Sequence, residues 1–289
     1  MDTTIVIPSS GKTANLAVFP YKSGKILGRI GNLQVRLATD QREIDAAQSL
    51  RYRVFADEMG ARLPDEAMRL QRDFDHFDAY CDHILVIDTT IIGDIDDQIV
   101  GTYRLLTQEV AHHHSGFYSQ SEFDVEELVA RHPGKRFLEL GRSCVLSAYR
   151  TRRTIELLWQ GNWAYALAHG VDAMFGCASF HGISPYAHAM AFSFLNKVAA
   201  AKDQWAAKAI PGRGILMDMM PEEAIQPRAA LAALPPLVKG YLRLGAKTST
   251  EAVVDQDFGT TDILIILPVD EISERYVNHY GSDAGRFAI

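Results

Sequence analysis

Four short stretches of this chain hold residue types that bind ions or move protons. In the apolar run FLELGRSCVL, residues 137–146, a carboxylate at Glu139 stands three positions before Arg142. A charge in such a run is costly to bury alone, so Arg142 is its expected partner. Strict alternation would put the two on opposite faces of a strand; Gly141 between them predicts a bulge that turns both to one face. In the turn YRTRRT, residues 149–154, Arg150, Arg152, Arg153 and Thr154 sit at the mouth of a helix pattern. The unpaired N–H groups of a first helical turn and the guanidinium forks both favour phosphate. In DFDHFD, Asp75 and Asp78 are three apart, so a helical turn or tight loop presents both to one cationic ligand. Arg51, Arg104 and Arg142 are forks for a carboxylate, with Phe55 one helical turn beyond Arg51. For Arg51 a purely architectural ion network is an equal alternative.

Other attractive residues lack the spacing their chemistry needs. GKT at residues 11–13 resembles the end of a P-loop, yet the required earlier glycine is Val6. His112, His113 and His114 are adjacent in a loop, without the spacing of a closed metal site, and no metal is expected. Neither Gly141-Arg142-Ser143 nor Gly182-Ile183-Ser184 completes a nucleophile elbow, because the final glycine is missing. Cys81, Cys144 and Cys177 read as reduced thiols.

The elements that must position these groups follow from periodicity. LQVRLA alternates as a strand, and Ile44, Ala47, Leu50, Val54 and Met59 fall near helical spacing over residues 41–59. DHILVID and QIVGTYRLL flank a turn-rich TTIIGDIDD as a hairpin, and FLELGRSCVL is the next strand. A helix, the strand AMFGCASF and another helix follow, ending near Lys197. Residues 211–236 read as a connector or cover, PPLVKGYLRLGA as a helix stopped at Gly245, and TEAVVD and TDILIILP as closing strands. Residues 1–25, with Pro8, Gly11, Pro20 and Gly24, read as a loose arm before a domain over 26–289.

Composition sets wide limits. With 289 residues, 47% hydrophobic, the chain buries a large core, and its net charge of -7 offers no general attraction to nucleic acid. The first residues lack a secretory signal pattern, and no run approaches ~18 uninterrupted apolar residues, so a cytoplasmic protein is expected.

Taken in order, LRYRVF, DFDHFD, VGTYRLL, FLELGRSCVL and YRTRRT resemble the GNAT superfamily of acyltransferases. Within it the chain is similar to the ornithine lipid N-acyltransferase family, a branch related to acyl-homoserine lactone synthases and hemolysin-like acyltransferases, over roughly residues 26–280. The resemblance implies an α/β fold with a mixed sheet and splayed central strands. It implies transfer of a 3-hydroxy fatty acyl chain from acyl carrier protein to the α-amine of L-ornithine, forming lyso-ornithine lipid. No permanently bound cofactor is expected, the phosphopantetheine of the carrier being the donor arm. On that reading Glu139 and Arg142 line the acceptor and acyl site, and Glu139 relays the proton of the attacking amine. Backbone N–H groups near Arg142 and Ser143 hold the oxyanion, and Tyr149 or Tyr186 protonates the leaving sulfur. Asp75, Asp78, Arg51, Phe55 and Arg104 meet the ornithine, while Arg150, Arg152, Arg153 and Thr154 meet the carrier. YRTRRT lacks the glycine usual in a coenzyme A turn, which suits an acidic carrier protein instead. A lipid product implies transient contact with the cytoplasmic membrane through residues 211–236. Other acceptors remain open, among them glutamine or the S-adenosylmethionine of a lactone synthase, as does a silent carrier-binding module.

Overall fold

The computed structural model describes residues 24–272; the expected arm, apart from Gly24 and Lys25, and residues 273–289 lie outside the described residues. Nine strands form one sheet: β1 (Ile26–Ile30), β2 (Leu33–Leu37), β3 (Asp82–Asp88), β4 (Ile99–Thr107), β5 (Phe137–Val145), β6 (Ala173–His181), β7 (Ile215–Leu216), β8 (Lys247–Asp255) and β9 (Thr260–Pro268). Their spatial order is β1-β2-β3-β4-β5-β6-β9-β8-β7. Only β5 and β6 pair in parallel among the described strands, and the 17-residue helix Arg152–Ala168 lies between them in the chain. This is the mixed α/β sheet expected.

Alternation along the strands divides the core between two faces. Ile84 and Val86 of β3 enter one cluster with Leu138 and Leu140 of β5, while Leu85 and Ile87 enter another behind the sheet. The helix Arg152–Ala168 covers the first face, resting on β1, β2 and β3. Gly161 permits that approach, because a Cβ there would sit 2.7 Å from Val35 Cγ2. The helix Gln41–Tyr52 covers the opposite face through Ala46, Ala47 and Leu50. Each fully buried leucine of this kind contributes about 1.5–3 kcal/mol relative to exposure.

Several elements depart from the sequence reading. The helix expected to run to Met59 changes at Arg53 into a π-helical turn, Arg53–Glu58. A short first strand, β1, precedes LQVRL, and a helical turn, Ile95–Gln98, interrupts TTIIGDIDD. Residues 211–236 contain β7 and the helix Pro227–Ala233, which packs on the helix Ala189–Ala199. The helix Pro236–Leu244 ends at Gly245 in the left-handed conformation, as its sequence predicts.

The fork between β5 and β6 shapes the site. Phe137, Leu138 and Glu139 pair with Ala173, Met174 and Phe175, and there the pairing stops. Beyond it β5 follows β4 to Val145, and β6 follows β9 to His181. Gly176 stands at the crotch, where any side chain would strike the Leu140 carbonyl oxygen.

Candidate active site

The parted strands open a cleft of about 460 Å³, within the size range of small-molecule sites. Residues 139–145 of β5 form one wall and Cys177, Ala178 and Ser179 of β6 the other. Ile155, Leu158 and Trp159 of the long helix, with Pro235, Pro236 and Leu237, give it an apolar lining. Val54 and Phe55 enter from the π-helical turn and Met59 from the residue after it, and Phe55 meets Phe258 edge-on at 5.7 Å between centroids. Phe55 thus reaches the cleft from a π-helical turn, an irregularity often found at functional sites.

A bulge does occur in β5, one residue later than expected. Gly141 pairs with Arg104 and Cys144 with Thr102, so Arg142 and Ser143 share Tyr103 as their opposite residue. Arg142, not Gly141, takes the left-handed backbone, at φ 50°, a conformation costing about 1–2 kcal/mol in a non-glycine residue. Its guanidinium lies between the Tyr118 and Phe258 rings, 4.7 and 4.8 Å from their centroids. It donates to Asp73 Oδ2 at 3.1 Å and Asp75 Oδ2 at 3.2 Å.

The expected Glu139–Arg142 pair is therefore corrected. Glu139 instead accepts hydrogen bonds from the backbone N–H groups of Tyr118 and Ser119, each at 2.8 Å, and from the Ser119 hydroxyl. These donors come from a tight 3₁₀ turn, Tyr118–Ser121. Burial pushes the Glu139 carboxyl above its ordinary value, against the opposing pull of these hydrogen bonds.

Asp75 and Asp78, expected at the substrate, face arginines of the protein itself. Arg51, fully buried, donates to Asp73 Oδ2 at 2.7 Å and forks onto Asp78 at 2.9 and 2.8 Å. Arg104 bridges Asp75 at 2.6 Å and Asp78 at 3.1 Å. Despite burial, the guanidinium of Arg51 beside it holds the Asp78 carboxyl far below its usual range. Of this alternating network only Arg142 also lines the cleft. Arg51 ties the first helix to the loop of Asp73 and Asp78, which Arg104 and Arg142 join to the sheet, the geometry of its architectural alternative.

The basic turn divides. Arg150 lines the cleft mouth and is forked onto Glu58, with one bond at 2.7 Å. Arg152 and Arg153 are exposed at the start of the long helix, and Thr154 is buried beneath it. Tyr149 donates to Asp88 at 2.9 Å and Tyr186 is 76% exposed. The tyrosines that line the cleft are Tyr103 and Tyr118.

Sequence reasoning missed an acidic group of which two members, Asp255 and Asp262, line the same cleft. Carboxylate oxygens of Glu122, Asp255 and Asp262 lie within 4.8 Å of one another, the one metal-compatible cluster among the described residues. Burial and the neighbouring carboxylates raise Glu122 to about 7 and Asp262 to about 6. A signal for Asp262 was present: it is a charge within TTDILIILP, the anomaly that drew attention to Glu139.

Residues 50–160 match the acetyltransferase (GNAT) domain family. The chain is 59% identical over 288 residues to the L-ornithine N(alpha)-acyltransferase of Rhizobium meliloti (strain 1021), covering 100% of this chain and 97% of the relative. It is 62% identical over 261 residues to the enzyme of the same name from Agrobacterium fabrum (strain C58), covering 90% and 89%. Among solved structures, an N-acyl amino acid synthase from uncultured soil microbes matches with a TM-score of 0.51 at 12% identity, covering 87% of this chain and 100% of that one. At that identity the likeness is one of fold.

Proposed function

The chain belongs to the L-ornithine N(alpha)-acyltransferase family within the GNAT superfamily, and from that premise we propose that it acylates the α-amine of L-ornithine with a 3-hydroxy fatty acyl chain carried on acyl carrier protein. The observation carrying this reading is the forked cleft, with apolar walls for an acyl chain and with Glu139 and Arg142 on its β5 side. The product is lyso-ornithine lipid, and the donor arm is the carrier's phosphopantetheine.

The chemistry needs no covalent enzyme intermediate, because a thioester is already activated. Glu139, raised by burial, takes a proton from the α-ammonium directly or through water. The neutral amine attacks the thioester carbonyl carbon, and its oxyanion rests on backbone N–H groups at the Arg142–Ser143 bulge. As the carbon–sulfur bond breaks, the nitrogen of the adduct sheds its second proton, leaving an amide and the carrier thiolate. Burial raises the Tyr118 hydroxyl above its ordinary value; lining the cleft, it gives its proton to that sulfur and takes up the proton shed by the nitrogen. Exposed Leu216 and Leu231, in the 211–236 segment, support brief contact with a membrane that receives the product. No helix among the described residues is long and apolar enough to cross a membrane.

The test is purified protein supplied with 3-hydroxyacyl-carrier protein and a panel of free amino acids. The expected product is Nα-acyl-ornithine. Acylation of a different amino acid, with ornithine unused, would overturn the assignment.

A further inference from the structure

Glu122, Asp255 and Asp262 are brought together from a loop and two strand ends, and none takes part in the Glu139 chemistry above. Such a cluster is unfavourable by itself, because its charges repel and two of its members are buried. Nearby cations give limited relief: Arg213 Nη2 is 3.8 Å from Glu122 and donates to the Val254 carbonyl at 3.1 Å, its Nη1 donates to the Ser121 carbonyl at 2.7 Å, and Arg142, which draws the Asp262 carboxyl down only weakly, is committed to Asp73 and Asp75. A second observation points to a ligand. Asp262 Oδ1 and Thr260 Oγ1, on residues only 6% and 3% exposed, make no well-formed hydrogen bond, although the Thr260 and Ser179 hydroxyls lie near enough to ease the Asp262 carboxyl downward, and both Asp262 and Thr260 line the cleft. Buried acceptors of this kind are nearly always satisfied in a finished site.

The cluster is also connected to the reaction centre. Ser119 Oγ, which donates to Glu139, is 3.4 Å from Cys177 Sγ, and Cys177 Sγ is 3.4 Å from Glu122 Oε2. Two small side chains thus separate Glu139 from the acidic group. A short aliphatic diamine carries a nitrogen at each end, the form of ligand that two acidic points so linked would share. An alkylammonium presents three N–H donors and one positive charge, matching the orphaned acceptors and the excess negative charge.

We propose that Glu122, Asp255 and Asp262 bind the side-chain ammonium of the acceptor and thereby select a diamino acid over neutral amino acids. This rests on the reading that ornithine is acylated at its α-amine beside Glu139. A site that desolvates its acids in order to pair with a substrate charge discriminates strongly against an analogue lacking it, because the acids are then left unpaired.

Norvaline is ornithine without the side-chain nitrogen and provides the comparison. The wild-type kcat/KM is expected to favour ornithine over norvaline by roughly 10²-fold or more. In Asp262→Asn that ratio should shrink at least about tenfold, mainly through a raised KM for ornithine. Asp255→Asn, at a partly exposed position, should shrink it in the same direction and covers the case in which the buried variant fails to fold. An unchanged ratio in a folded variant overturns the proposal while leaving ornithine acylation standing. Stabilisation of the wild type by calcium or magnesium chloride, lost in Asp262→Asn with the ratio unchanged, makes the cluster an ion site and also overturns it. A wild-type enzyme that does not acylate ornithine overturns this proposal together with the functional reading beneath it.

Discussion

Glu139 is held by three donors and by no arginine, so its replacement tests proton handling more cleanly than a broken ion pair would. Glu139→Gln puts an NH₂ where an oxygen accepts from Tyr118 or Ser119, and a donor facing a donor in a buried place costs about 1–3 kcal/mol. If Glu139 also takes the ammonium proton, kcat should fall by roughly 10² or more in the folded fraction. Thermal melts and kcat on the same preparation separate the two effects, and a destabilised but fully active variant removes Glu139 from the mechanism. The acidic group opposite makes a pH prediction. Glu122 moves from 4.5 to about 7 and Asp262 from 3.8 to about 6 on folding. The folded state thus holds these protons more tightly than the unfolded chain. Their stabilising contribution is complete below pH ~4 and is lost as the pH rises through 6 and 7. Glu122→Gln should flatten the fall in Tm of the ligand-free protein between about pH 5 and pH 8; equal falls in both proteins would show that the cluster does not titrate there. Glu139 was legible because a charge interrupts an apolar run. Glu122 and Asp255 were not, since nothing in their local patterns shows that residues 122, 255 and 262 converge.

Three elements meet at the arginine–aspartate network: the helix Gln41–Tyr52, the loop holding Asp73, Asp75 and Asp78, and the paired strands β4 and β5. Removing one partner of a buried network strands the opposite charges, which typically costs 3–5 kcal/mol. Arg51→Ala should therefore lower the urea midpoint by an amount of that order, with a far smaller effect on the ornithine KM of the folded remainder. An unchanged midpoint with a sharply raised ornithine KM would instead return Arg51 to the substrate. The elements themselves were legible where periodicity ran long, as in β3, β4, β5, β6 and the helix Arg152–Ala168. The π-helical turn was not, because the step from Leu50 to Val54 suits an ordinary helix and the wider step from Val54 to Met59 does not by itself distinguish a π-helical turn from the end of a helix. Likewise Gly141 signalled a bulge in β5, but pairing with β4 decides that Arg142 takes the strained position. Its ion pairs with Asp73 and Asp75 and its place between two rings help hold it there.

At the scale of the whole molecule, the proposed acidic carrier would have to be met by a local surface, because the chain as a whole has a net charge of -7. Arg152 and Arg153 qualify by position: both are exposed at the first turn of a 17-residue helix, whose unpaired N–H groups add positive potential. Arg150 is different, for its guanidinium is forked onto Glu58 and must exchange partners before it meets a phosphate. The fork of β5 and β6 begins beside this helix, so a phosphopantetheine arm arriving at the turn has the cleft mouth, marked by Arg150 and Ile155, within the same surface region. Steering by an exposed pair is screened over about 10 Å at 0.1 M salt. Reversing both charges, Arg152→Glu with Arg153→Glu, should raise the KM for acyl-carrier protein by about tenfold or more and leave the KM for ornithine nearly unchanged. Added salt should raise the donor KM of the wild type toward that of the variant while changing the variant little. If neither the double reversal nor salt alters donor kinetics, the carrier does not dock at this helix.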